Sequence, residues 1–183
     1  CDRMNGRIPY IPVNGVYPEF DGSIINWWTN GFWGGIMWQM YHAEGDNKYQ
    51  KEAISLENRL EKAFDNFDLL DHDVGFLWLH TAVAHYRLTD NPTARKRGLR
   101  AAAVLASRYC PAGEYIRAWN RPGLSQMIID CVMNLPLLFW AADQGAGDHY
   151  RQTAIHHLNS VLQNIVREDG SCNHIVEFDE ATG

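Results

Sequence analysis

The chain has 183 residues, enough for one domain with a sizeable core. Its 16 basic and 22 acidic residues give a net charge of −6, and no basic cluster is interleaved with aromatics, which argues against nucleic acid or an anionic membrane surface as partner. No apolar run reaches the roughly 18 residues a membrane-spanning helix needs, so no membrane span is expected.

Aromatic residues form 12% of the chain, and 7 of them are Trp, several at loop-to-helix junctions. Rings so placed suit core packing or stacking against the apolar face of a sugar. The cysteines Cys1, Cys110, Cys131 and Cys172 show neither a CxxC pair nor metal-type spacing and read as free thiols. Free thiols point to a cytoplasmic protein; Cys1 at the start leaves a periplasmic or lipoprotein-anchored location as the alternative. Asp2 and Arg3, with no apolar stretch after them, do not fit an intact signal peptide.

Residues 1–26 carry Gly, Pro and Tyr without a sustained period and read as an irregular lead-in. From Trp27 a first helix is expected, with Trp33, Ile36, Met37 and Met40 on one stripe, ending near Gly45. Gly31, Gly34 and Gly35 lower its intrinsic helicity by up to ~1 kcal/mol each, which makes sense where backbone must come close to a neighbour. Asp46 caps a second helix from Asn47 to about Phe64, with Tyr49, Ala53, Leu56, Leu60 and Phe64 on one face. A third runs from Val74 to about Leu88, apolar inward but interrupted by His80 and His85. Asp90-Asn91-Pro92 opens a fourth, to about Tyr109, with Pro92 at an early position where its missing N–H is harmless. After the loop 111–124 a fifth helix is expected from Ser125 to Asp143, kinked at Pro136. Asp148 starts a sixth, to about Arg167, and the tail 168–183 reads as turn and extended chain.

Gly45-Asp46-Asn47, Thr89-Asp90-Asn91 and Gly147-Asp148-His149 each follow an apolar helix and begin a more charged one. The repeated unit is a helical hairpin, a buried inner helix turning into an amphipathic outer one, which buries its inner face against neighbouring hairpins. The expected fold is all-α: one domain over residues 1–183, with the hairpins in 27–167 and a loop in 168–183.

Two acids stand out. Asp130 lies in the most apolar run of the chain, Gln126 to Trp140, and Asp73 directly precedes the apolar third helix. A buried carboxylate costs several kcal/mol unless it is paired, protonated or at a polar cavity. Asp130 therefore reads as a desolvated acid with raised pKa or as one satisfied by an Arg; Asp73 reads as a site acid or as a helix N-cap. The remaining histidines show no consistent ligand spacing: His80 and His85 are not on one helical face, so no metal and no cofactor is implied.

The strings Trp28-Thr29-Asn30-Gly31-Phe32-Trp33, His72-Asp73-Val74-Gly75-Phe76, Ile116-Arg117-Ala118-Trp119-Asn120 and Met127-Ile128-Ile129-Asp130-Cys131-Val132-Met133-Asn134-Leu135 resemble the unsaturated glucuronyl hydrolases, glycoside hydrolase family 88. The ending Phe178-Asp179-Glu180-Ala181-Thr182-Gly183 is similar to the same family, and the matches run in family order along the chain. The resemblance implies an (α/α)6 barrel of twelve helices, of which about six are present here. It also implies release of Δ4,5-unsaturated uronic acid from lyase-generated oligosaccharides by hydration of a vinyl ether, with such an oligosaccharide as the partner. By resemblance Asp130 is general acid and then base, and Asp73 orients substrate and stabilises developing positive charge. His174, Trp28, Trp119, Trp33 and Arg117 are the implied substrate-binding residues. A Trp-Ala-Arg-Gly-Gln-Ala-Trp type segment that helps bind substrate in that family is absent. Two alternatives remain at this point: an unsaturated rhamnogalacturonyl hydrolase, and a carbohydrate-binding helical module or inactive fragment without turnover.

Overall fold

The computed structural model of the chain describes Met4 and residues 6–17, 24–179 and 182. It is mainly helical, with two short antiparallel ribbons in addition. The chain divides into two compact units, residues 1–70 with 76–98, and residues 71–75 with 99–183.

In the first unit, α1 (Asn30–Glu44) and α2 (Asn47–Leu60) form a helical hairpin through Gly45 and Asp46. Gly45 adopts φ 70°, where a side chain is disfavoured, and its N–H reaches the Tyr41 carbonyl. Asp46 caps α2 as expected, its carboxylate accepting from the Lys48 N–H at 2.9 Å. The helix passes into a tighter 3-10 turn over Glu61–Asp65 rather than continuing to Phe64 as α.

The close approach expected of the α1 glycines is present. A Cβ at Gly31 would collide with the Phe76 carbonyl and lie 2.7 Å from the Leu77 Cα. The third helix begins with α3 (Val74–Trp78), passes through a π-helical turn (Leu79–Val83) and ends as α4 (Ala84–Thr89). Within the π turn, the Thr81 hydroxyl donates to the Leu77 carbonyl at 2.6 Å. Asp90 closes α4 in the left-handed conformation, φ 54°. Asn91 then caps α5 (Pro92–Ala106), accepting from the N–H groups of Thr93 and Ala94.

A fully buried acid does exist in this unit, and it is Glu57. Its carboxylate accepts from Trp38 Nε1 at 2.9 Å and meets His85 Nδ1 at 3.0 Å and Arg97 at 3.4 Å. The His85 ring stacks on Trp38, centroids 4.5 Å apart. A buried charge is tolerable when its lone pairs are taken up by donors in this way.

In the second unit, α5 ends at Ala106, before β1 (Tyr109–Cys110), which pairs with β2 (Tyr115–Ile116). The expected helix over 125–143 is replaced by three elements. β3 (Ser125–Ile128) is followed by a 3-10 turn (Ile129–Asn134) and by α6 (Pro136–Asp143). Pro136 occupies the first helical position of α6, so it starts a helix where a kink was expected. β3 is extended because it pairs with β4 (Ile175–Phe178) from the tail, in the register Ser125 to Phe178 and Ile128 to Ile175. An apolar run of this length fits either conformation, and only the distant partner selects the strand.

The helix α7 (His149–Asn164) packs on α6 and β2 and stops short of Arg167. Tyr115, Met127, Val161 and Ile165 form the local core, with Ile129, Val132 and Phe178 against it. Cys110, Cys131 and Cys172 are free thiols, while Cys1 lies outside the described residues, as do Glu180, Ala181 and Gly183 of the tail motif. No helix among the described residues is long and apolar enough to cross a membrane.

Candidate active site

Asp73 and Asp130 both belong to the second unit, and the residue that joins them is His72. The turn Asp71-His72-Asp73 leads into α3, and the Asp71 carboxylate accepts the Asp73 N–H at 2.9 Å. It is therefore Asp71 that ties down the turn by a side-chain bond to backbone. The His72 ring is buried, at 1% exposure. Its Nδ1 lies 2.9 Å from the Ala118 carbonyl, and its Nε2 lies 3.2 Å from Asp130 Oδ1 and 3.3 Å from Asp73 Oδ1. The Asp130 contact is a hydrogen bond; the Asp73 contact is an ion-pair distance, and Asp73 Oδ1 is buried with no hydrogen bond of its own.

The Ala118 carbonyl is the anchor of this arrangement. It accepts from the His72 backbone N–H at 3.1 Å and from the buried Arg108 guanidinium at 3.0 Å, as well as facing His72 Nδ1. Arg108 also donates to the Arg117 carbonyl at 2.8 Å and to Asn120 Oδ1 at 2.8 Å, which ties down the irregular segment 117–120 that carries the Ala118 carbonyl. Gly75 lets α3 meet the 3-10 turn that carries Asp130: a Cβ there would lie 2.6 Å from the Asn134 Cα.

The two acids differ in setting. The apolar helix expected to bury Asp130 is absent. Asp130 sits in the 3-10 turn after β3, with its side chain 44% exposed, against 15% for Asp73. Burial, the largest influence, pushes Asp73 up to about 6, with the charges of Asp71 and Asp130 adding to the rise and His72 opposing it. Burial works against charge on His72 as well. There the Asp130 hydrogen bond and the charges of Asp73, Asp71 and Asp130 prevail, and its pKa is raised. Burial, then the charges of Asp130 and Asp73, push the Cys131 thiol far up, so this cysteine is an inert core group. His157, which accepts the Ile116 N–H at 3.0 Å, is held down at about 4 by burial and then by the charge of His72.

Donor atoms of Asp71, His72 and Asp73 lie within 4.8 Å of one another. Both His72 ring nitrogens are already engaged, however, and the one facing a carbonyl must carry hydrogen. An imidazole binds metal through an unprotonated nitrogen, so within this cluster only Nε2, which faces Asp73 and Asp130, could serve as a metal ligand.

Of the expected binding residues, Trp119 is half-buried with its ring edge-on to His72 at 5.6 Å and the Arg121 guanidinium over it at 4.7 Å. His174 is exposed, and its carbonyl accepts the Ile129 N–H at 3.1 Å, so the β3–β4 ribbon sets it next to the residue before Asp130. Arg117 lines a cavity with Ser107, Arg108, Tyr109, Cys110 and Ser125, a group that contains neither acid. Trp28 and Trp33 belong to the first unit. There Trp28 is 38% exposed in a cluster with Trp27, Phe32 and Phe76. Trp33 packs against Met37, Trp38 and Ala53, and its Nε1 donates to Glu52 at 3.3 Å.

Sequence reasoning missed His72 and Arg108. The signal for His72 was its place between two aspartates at a helix start, while nothing local marked Arg108.

The chain as a whole is similar in sequence and fold to proteins named for their activity. The unsaturated chondroitin disaccharide hydrolase of Streptococcus agalactiae is 36% identical over 177 residues, 93% of this chain and 43% of that protein. The unsaturated glucuronyl hydrolase of Bacillus sp. (strain GL1) is 38% identical over 161 residues, 85% of this chain and 43% of that protein. Its crystal structure superposes on the whole chain with a TM-score of 0.89 at 34% identity, covering 49% of that chain. The chain belongs to the unsaturated glucuronyl hydrolase family. No family model matches it. It spans less than half the length of these relatives. A mutant of the Streptococcus agalactiae unsaturated glucuronyl hydrolase, complexed with dGlcA-GalNAc6S, superposes on 99% of the chain with a TM-score of 0.79, 31% identity and 44% of that chain covered.

Proposed function

We propose that the protein containing this span cleaves the glycosidic bond of a Δ4,5-unsaturated uronic acid at the non-reducing end of lyase-generated oligosaccharides, and that its helical hairpins belong to an (α/α)6 barrel. The observation that carries the reading is the convergence of Asp73 and Asp130 on His72 Nε2, with the Trp119 ring beside it. The names of the relatives supply the substrate class.

In this reading Asp130, the solvent-facing carboxyl, protonates C4 of the unsaturated ring. Positive charge then develops at C5 and the ring oxygen. Water adds at C5 and gives a proton to the Asp130 carboxylate, restoring the acid. The resulting hemiketal opens and expels the saccharide. Asp73 stays buried and lends its negative charge to the developing cation. Trp119 offers a ring face to the sugar, and His174 adds a polar contact on the same side of the second unit.

The test uses the full-length protein and an unsaturated chondroitin disaccharide, following loss of its ultraviolet absorbance. Asp130→Asn is expected to lower kcat by about 10³-fold, within the range for removal of a general acid–base group. Turnover within about threefold of wild type would overturn the assignment.

A further inference from the structure

A protonation problem follows from the exposure of Asp130. The chemistry needs a carboxyl that donates a proton to carbon, yet Asp130 lacks the apolar helix that was expected to enclose it. The buried group in hydrogen-bond contact with it is His72. We propose that His72 is the positioning residue for proton transfer: its ring holds one proton between Asp73 and Asp130 and delivers it to Asp130 for donation to substrate. The inference rests on the hydrolytic reading above.

The geometry constrains where the proton sits. A carbonyl oxygen only accepts, so the Nδ1 facing Ala118 carries hydrogen and the ring can titrate only at Nε2. That nitrogen lies within 3.3 Å of one oxygen from each carboxylate. The proton either stays on Nε2, giving an imidazolium between two carboxylates, or moves to Asp130 and leaves a neutral ring. Both arrangements have the same net charge, so the transfer creates no new buried charge. With 1% exposure, the ring shields its proton from bulk water while Asp130 faces outward.

Groups around the ring favour the imidazolium. Asp71 and Asp73 flank it in its own turn, with Asp71 Oδ1 4.0 Å from Nδ1, and Asp130 faces it from the 3-10 turn. Opposing them are Arg108, which shares the Ala118 carbonyl, and burial itself; His157 from α7 is kept neutral and Cys131 stays a thiol.

The cycle balances. Nε2 gives its proton to Asp130 Oδ1, Asp130 gives it to C4, and the water that adds to C5 returns one proton to Asp130 and so to Nε2. One water is consumed and the site regains its starting charge.

The test compares pH–rate profiles of wild type and His72→Gln in the full-length protein with an unsaturated chondroitin disaccharide. Gln keeps a donor near Nε2 but cannot carry the mobile proton. Expected are a kcat lowered by about 10²-fold, a KM within about threefold of wild type, and an acid limb displaced by about one pH unit. A profile superimposable on wild type, whatever its height, would overturn the proposal and leave His72 a packing residue. Should His72→Gln fail to fold, or should wild type not turn over the disaccharide, nitrogen-15 NMR of wild-type His72 decides. Both ring nitrogens protonated near pH 7 supports the proposal, and a neutral ring at that pH refutes it. Absence of wild-type turnover sinks the functional reading, whereas a neutral ring in an active enzyme sinks only the role of His72.

Discussion

His72 and Asp73 show how burial acts on neighbouring groups of opposite charge. Asp73 pays for its enclosure by a pKa lifted from the ordinary 3.8 to about 6, so its ionised form disfavours the fold. The cost is fully present above pH 6, shrinks as pH falls through about 6, and is gone below the unfolded value near 3.8. Asp73→Asn should therefore stabilise the chain by about 2 kcal/mol at pH 7.5, with no difference near pH 3.5. Urea unfolding at the two pH values checks this, and equal gains at both would show that ionisation of Asp73 is not the cause. The sequence singled out Asp73 by its place before an apolar helix. It could not reveal that Asp73 is the more buried of the pair, because burial depends on what packs around a side chain in space and not on its neighbours in the chain.

At the scale of elements, the helices α1, α2, α5 and α7 were legible within a few residues. The α2 stripe, the Asp46 and Asn91 caps and the Gly45 stop are local signals, whereas α1 buries Met37 and Trp38 and exposes Ile36, which was expected on its buried stripe. Glu57 shows the limit of such signals: it lies beside Leu56 and three residues before Leu60, on the buried face, but its three donors come from other helices. The stretch 125–143 was misread because its strand needs β4, some 50 residues further on, and because Pro136 opens a helix as readily as it breaks one. Gly31 gives the clearest test of element packing. In an isolated helix, Gly→Ala gains up to ~1 kcal/mol. Here the Cβ would strike the Phe76 backbone, so Gly31→Ala is expected to destabilise by about 2 kcal/mol. A urea midpoint equal to or above wild type would mean that α1 and α3 separate without cost.

For the molecule as a whole, acid stability should reflect two buried groups of opposite sign. His157 is held at about 4, so its neutral form contributes stability that is complete above pH 6.5 and lost as pH falls from 6.5 through about 4. Asp73 changes in the other direction over nearly the same window. His157→Gln should cost stability at pH 7.5 through the lost acceptor for the Ile116 N–H, by about 1 kcal/mol. That deficit should close or reverse near pH 4.5, where the unfolded wild-type chain gains a proton on this ring that the folded chain does not take up. Thermal melts across pH 4–8 measure the crossing, and a constant deficit would exclude the titration of His157 as its source.

Residue order alone determined the mainly helical class and the main caps and turns, and it singled out Asp73 and Asp130, because these depend on period, local hydrogen bonding and short motifs. The tertiary structure decided what surrounds those acids. It replaced an apolar helix by a strand and a turn, opened Asp130 to solvent, and set the buried His72 between the two carboxylates. Electrostatic environment is a property of neighbours in space, and here His72 and Asp130 are 58 residues apart in the chain.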